Sequence, residues 1–417
     1  MPKRPGSSLG GDVRRILFLH LAGVSLQGVG QALVLILPFL ARKQFDAANW
    51  QSWVLTAAVP VMQFFTIFWN HFYARVSTNV YLLVVSALAC TPFALMGLAD
   101  DMGLIMVCLV VAAFAGAGGG AALSPINADL LRACYPDQVR GRVYGFVAAA
   151  QFTGVIVAGW IMGEWSDLDP RGYRFFMPLT ALAFGGSMLL YARIGGSARF
   201  GGRPRSGLGD EPWWSALRGM GRILRTDRRF AAYEIAFMSY GVGWMICSAL
   251  VPLLANDRLG LGYFGYARSV VVTLQVTMIL LLVPMGRLAD RVGAVRLAAA
   301  SFLWLTIYPL GLLWVPSEFW LGLFTVLYAV GMVGVHLTWT LGPVAFAPEP
   351  SKAPHYLAVH GTLVGVRGIV VQGVGVWLYS LTGGFTVPML LGTLGFAWAA
   401  WRMRRLAREM DAPGGGA

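Results

Sequence analysis

The sequence predicts an all-α polytopic membrane protein, about twelve transmembrane helices in two related six-helix halves, and three observations carry that expectation. Of its 417 residues, 57% are hydrophobic and 12% charged, whereas soluble domains are about half apolar and about a quarter charged. The apolar residues fall in blocks of about 20, enough to cross a hydrocarbon layer about 30 Å thick. The basic residues gather in alternate loops.

Six spans are expected in the first half, at 16–40, 51–71, 79–99, 104–127, 141–163 and 173–193. Six more follow at 230–254, 264–286, 294–315, 318–345, 356–380 and 384–402. The chain therefore divides into a tail (1–15), a first bundle (16–193), a central loop (194–229), a second bundle (230–402) and a second tail (403–417). Within the central loop Trp213, Leu217, Met220 and Leu224 recur at helical spacing, with Arg218, Arg222 and Arg225 between them. That pattern reads as an amphipathic helix lying on the membrane surface, and a basic linker without structure is the alternative.

The formal charge of +13 is accounted for by topology. Twenty-five of the 32 Lys and Arg residues fall in the tails, the central loop and the even-numbered connections, against five (Arg42, Lys43, Arg171, Arg174, Arg258) on the other side. This is the positive-inside pattern, which places both termini in the cytoplasm, and it leaves no charge that needs nucleic acid as a partner. Four scattered cysteines suggest neither a disulfide framework nor a zinc site, and no cofactor is expected. The first apolar block is long enough to span and lacks a cleavage-site pattern. Arg greatly outnumbers Lys, which hints at a GC-rich genome and a bacterial inner membrane.

The halves share sequence at matching places. Asn70-His-Phe-Tyr-Ala74-Arg75-Val-Ser77 after span 2 answers Gly286-Arg-Leu-Ala-Asp290-Arg291-Val-Gly293-Ala-Val-Arg296 after span 8. Likewise Pro136-Asp137-Gln-Val-Arg140-Gly-Arg142-Val-Tyr144 answers Pro348-Glu349-Pro-Ser-Lys352-Ala-Pro-His-Tyr356. The Gly286–Arg296 loop resembles the signature loop of the major facilitator superfamily, and the six-plus-six layout agrees with that family over nearly the whole chain. The resemblance implies a carrier whose solute site lies between two helix bundles, working as a monomer on a small-molecule solute in the lipid bilayer, with or without a coupling ion. It also implies a gate in which Asp290, Arg291 and the turn glycines Gly286 and Gly293, with Arg296, meet the start of span 5 near Arg140 and Arg142. Asp290 and Arg291 serving only to fix the loop is the other reading. The first copy, around Arg75, has Ala74 in place of the acid and Ser77 in place of the glycine, so its latch onto span 11 is expected to be weak.

Polar side chains inside spans are costly in lipid and face the bundle interior. Gln27, Gln31, Gln63, Gln151, Tyr240, Trp244, Gln275, His336, Trp339, His360, Arg367 and Gln372 are therefore the candidate cavity residues, on helices that the resemblance places around a central path. Each glutamine serves equally well as helix–helix glue. Arg367 is the most informative, because an unpaired cation at mid-span costs at least about 2.5–3.5 kcal/mol. Carbonyls, water or an anionic group on the solute must compensate it. With Glu234 assigned to the cytoplasmic start of span 7, no carboxylate is expected at mid-depth, leaving His336, His360 and His20 as the groups for any proton coupling. Span 5 reads Gly154-Val-Ile-Val-Ala158-Gly159 and lacks the Gly-Pro-x-x-Gly-Gly stretch of the family's drug–proton antiporters, which speaks against that activity. No catalytic constellation or nucleotide-binding loop appears, so an enzyme is not expected. A receptor or accessory subunit that kept the fold without transport is the alternative to a carrier.

Overall fold

The computed structural model describes residues 11–96, 102–135, 137–196, 213–349 and 352–411. Lys3, Arg4, Asp100, Asp101, Pro136, Arg199, Arg203, Arg205 and 412–417 lie outside the described residues, as do the side chains of Arg132, Arg140, Trp213, Leu217 and Arg218.

Every described element is a helix. Span 1 is α1 (Gly11–Phe45), and span 2 is α2 (Asn49–Phe64) continued by α3 (Thr66–Arg75) across a break at Phe65. Spans 3 to 6 are α4 (Thr78–Met96), α5 (Met102–Cys134), α6 (Asp137–Leu168) and α7 (Tyr173–Gly195). The amphipathic segment is α8 (Trp213–Thr226), and span 7 is α9 (Arg228–Leu253), ending in a wide π-turn at Leu254–Arg258. Span 8 comprises α10 (Tyr263–Tyr266), a second π-turn at Ala267–Val272 and α11 (Thr273–Val292). Span 9 is α12 (Ala294–Leu305) with α13 (Ile307–Trp314), followed by α14 (Glu318–Phe346), α15 (Ala353–Thr382) and α16 (Thr386–Asp411). Among the described residues nine spans are individually long and apolar enough to cross a membrane. Span 2, α5 and α16 complete the twelve. Leu83 on α4, Leu182 and Leu189 on α7, Leu280 on α11 and Leu394 on α16 are all more than half exposed. Such a surface would aggregate in water and is matched by lipid.

Tight helix crossings fix the bundles. In the first half α1 meets α6 where Gly28 faces the backbone of Gln151, Gly154 and Val155, too close for any Cβ. In the second half Gly243 on α9 faces Phe396 and Gly392 of α16. The halves touch along two related seams. Along one, Pro60 and Phe64 of α2 press on Gly368 and Gly365 of α15. Along the other, Gly159 and Gly163 of α6 face Val271 and Ala267 of span 8. Small residues at such seams let backbones approach and slide.

Polar contacts between the halves gather at the end opposite the termini. Both Asp167 oxygens accept backbone N–H groups at the start of α10, from Tyr263 at 2.7 Å and Phe264 at 2.8 Å, so a carboxylate of the first half caps a helix of the second. Arg42 donates to both oxygens of Asp257 at 2.9 and 3.0 Å, and Tyr379 donates to the same carboxylate at 3.2 Å. Tyr263 donates to Gln44 at 2.9 Å, and Asn49 to Ser380 at 2.9 Å.

Candidate functional site

At the other end, the signature loop turns through Gly293, whose φ of 83° is the left-handed backbone that glycine adopts freely. Gly286 lies inside α11 with open space around it, so only the second glycine is demanded by the turn. Asp290, Arg291 and Arg142 are exposed, and Asp290 has no hydrogen bond or ion pair to any described residue. Arg296 instead reaches Asp411 at the end of α16, at 2.6 Å. Arg75 is exposed at the end of α3.

The candidate cavity residues separate into two groups. Three of the four on the first half bond to side chains of their own bundle. Gln27 is buried and donates to Ser187 of α7 at 3.5 Å, inside the first bundle. Gln151 donates to Gln31 at 3.0 Å, bridging α6 and α1. Gln63 is exposed near the break at Phe65. His20 is fully buried between Tyr135 at 3.1 Å and Asn127 at 3.3 Å. These are the bonds of helix packing.

Of the second half's candidates, Tyr240, Trp244, Trp339, His360 and Arg367 meet in one cluster between α9, α14 and α15. His360 of α15 is fully buried, and its Nδ1 stands 2.9 and 3.1 Å from the two oxygens of Glu234 on α9, which is itself 2% exposed. Glu234 lies near the start of span 7, as expected, but it is buried and paired there. It sits six residues inside α9, about 9 Å along the axis, and a histidine 126 residues away completes it. Phe237 and Trp339 pack edge-on against the His360 ring, at 4.7 and 4.5 Å between centroids.

One layer deeper, Arg367 lies two helical turns beyond His360 on α15, as Gly241 lies two turns beyond Glu234 on α9. Nη1 of Arg367 donates to the Phe237 carbonyl at 2.6 Å and reaches that of Met238 at 3.4 Å. Its guanidinium rests on Gly241, leaving no room there for a Cβ. The Tyr240 ring lies 5.9 Å from the same carbon. Tyr240 is buried, stacks on Phe302 and Trp244, and donates to the Met332 sulfur. Trp244 and Trp339 are half-buried and meet edge-on at 6.5 Å.

Several buried polar atoms here have no protein partner: Arg367 Nε and Nη2, His360 Nε2, His336 Nε2, Gln275 Oε1 and Gln372 Oε1. Gln372 does donate to Ser248 at 3.3 Å, and His336 faces Phe152 of α6 across the seam between halves. Unpaired buried donors and acceptors are costly, and Arg367 and His360 bring three such atoms into the aromatic cluster. Among the described residues no group of His, Cys, Asp and Glu could hold a metal ion.

No family model matches the chain. It is similar to "Multidrug resistance protein MdtH" of Sodalis glossinidius, 24% identical over 377 residues, covering 87% of this chain and 86% of the relative. The protein of the same name from Baumannia cicadellinicola is 21% identical over 364 residues, covering 85% and 83%. Among solved structures, a POT family transporter in complex with 5-aminolevulinic acid aligns with a TM-score of 0.70 at 12% identity, over 93% and 94% of the two chains. The nucleoside transporter NupG aligns equally well, with a TM-score of 0.70 at 12% identity over 94% and 99%. The fucose:proton symporter FucP of E. coli gives 0.62 at 15% identity over 94% and 98%. With the twelve helices in two related bundles and these likenesses along nearly the whole chain, the protein has the fold of these membrane transporters, the fold that the resemblance of its signature loop to the major facilitator superfamily implies.

Proposed function

We propose that the chain carries a small organic solute with an anionic group across the bacterial inner membrane, by alternating exposure of a site between the two bundles. The observation that supports this most is the buried cluster of Arg367, His360, Glu234, Tyr240, Trp244 and Trp339, in which cationic and aromatic groups converge with donors left unpaired. Both termini lie in the cytoplasm on this reading, and the seam through Asp167 and Asp257 is the outer gate, closed in this conformation. Asp290 then belongs to an inner latch that forms as the other end closes against the start of α6. The carrier works as a monomer.

A proton is the coupling ion that the cluster is equipped to hold, because a histidine hydrogen-bonded to a carboxylate can take up or release one. The charged and titratable groups that face this pair are Arg367 and Tyr233, within a wall of Phe237 and Trp339. The test is solute flux into proteoliposomes at imposed pH gradients. A gradient should drive net flux in the wild type and fail to do so in His360→Gln, with downhill exchange retained. Absence of flux for every solute in a broad panel would instead favour a receptor that kept the fold.

The relatives named as multidrug resistance proteins support a second reading, in which the aromatic cluster receives apolar drugs. Protection of cells against such compounds, unaffected by Arg367→Gln, would select it over the anion reading.

A further inference from the structure

Resting on the carrier reading, we infer that Arg367 is a bidentate carboxylate clamp and that the solute is a monocarboxylate with a planar apolar body. The guanidinium is already anchored through Nη1 to the carbonyls of Phe237 and Met238. The two nitrogens left without a partner, Nε and Nη2, are buried in a side chain only 8% exposed. Their N–H bonds run parallel on one edge of the guanidinium, the fork that matches the two oxygens of a carboxylate. Gly241 beneath Cζ and Tyr240 across its face hold that edge in one direction.

The internal repeat argues that this cation is not needed for packing. Gly241 and Arg367 stand 213 residues after Gly28 and Gly154 respectively. In the first half, Gly154 meets the Ser25 carbonyl and Gly28 lies against the α6 backbone, so two glycines close the crossing. In the second half a guanidinium fills the equivalent space and binds the Met238 carbonyl, itself 213 residues after Ser25. The same crossing is thus built without a charge in one half and with one in the other.

The surroundings set the rest of the ligand. Trp244 and Trp339, half-buried and edge-on to each other, are the aromatic walls beside Tyr240 and the least buried part of the cluster. They suit a flat apolar group. The Glu234 carboxylate two turns away disfavours a second anionic group on the solute. In this conformation the fork is sealed, so the carboxylate reaches it past the two indoles.

The test is binding to the purified full-length protein, by calorimetry or thermal shift, of phenylacetate and indole-3-acetate against phenylacetamide and indole-3-acetamide. In the wild type each acid should bind at least tenfold more tightly than its amide. Arg367→Lys, which keeps the charge and loses the fork, should weaken the acids at least tenfold, and Arg367→Gln should erase the preference. Equal binding of acid and amide, acid binding undiminished in Arg367→Lys, or no acid binding at millimolar concentration would each overturn the clamp. If the Arg367 variants fail to fold, the acid-to-amide ratio in the wild type decides alone. Flux of neutral or cationic solutes, measured separately, would leave the carrier intact while the clamp falls.

Discussion

Arg367 and Gly241 form one structural unit, and the physics of each explains the other. An arginine inside a span is tolerated only where carbonyls, aromatic faces or water replace its hydration, and here the helix opposite offers two carbonyls because glycine lets the guanidinium lie on its backbone. Gly241→Ala should therefore displace Arg367 and cost about 1–3 kcal/mol of stability, read as a lower melting temperature in detergent. Gly361→Ala, with open space around the position, should leave it unchanged or raised. Arg367 was legible from sequence, because a lone cation in an apolar block stands out. The pairing of Glu234 was not: the sequence places Glu234 near the start of span 7, where it lies, but gives no sign that His360, on a distant span, meets it. Replacing Glu234 by Leu should destabilise the protein by about 1–3 kcal/mol through the His360 nitrogen left without an acceptor, and His360→Leu in addition should recover part of that loss.

Among elements, the two π-turns and α10 form the junction on which the outer seam depends. Asp167 caps α10 from the other half, and an exposed carboxylate at a helix N-terminus is worth about 0.3–1 kcal/mol. Asp167→Asn should move the population roughly two- to fivefold toward the state open at that end, measured as faster labelling of a cysteine placed at Leu35, beneath the seam. Span order, the signature loop and the amphipathic α8 could be read from hydrophobic blocks and glycine placement. The seam could not, since its partners come from four separate connections whose proximity exists only in the folded bundle. The glutamines show the same limit: polarity left a lining role and helix–helix glue equally open for Gln27 and Gln31, and only the fold shows that they bond to Ser187 and Gln151.

For the whole molecule, duplication supplies the machine and divergence supplies its function. The paired seams, α2 on α15 and α6 on span 8, are what two copies of one unit produce when they face each other, and their glycines permit the halves to rock. The first copy closes its central crossing with two glycines, and the second places a guanidinium with two unpaired nitrogens there. The central claim is that the halves exchange which end is closed. Distances between spin labels at Asp46 and Thr386, across the seamed end, and at Arg142 and Leu288, across the other, test it most directly in a variant lacking the native cysteines. Two populations should appear at each end, and conditions that lengthen the first distance should shorten the second. A single fixed distance at both ends, unmoved by solute, pH or the Asp167→Asn change, would contradict the account.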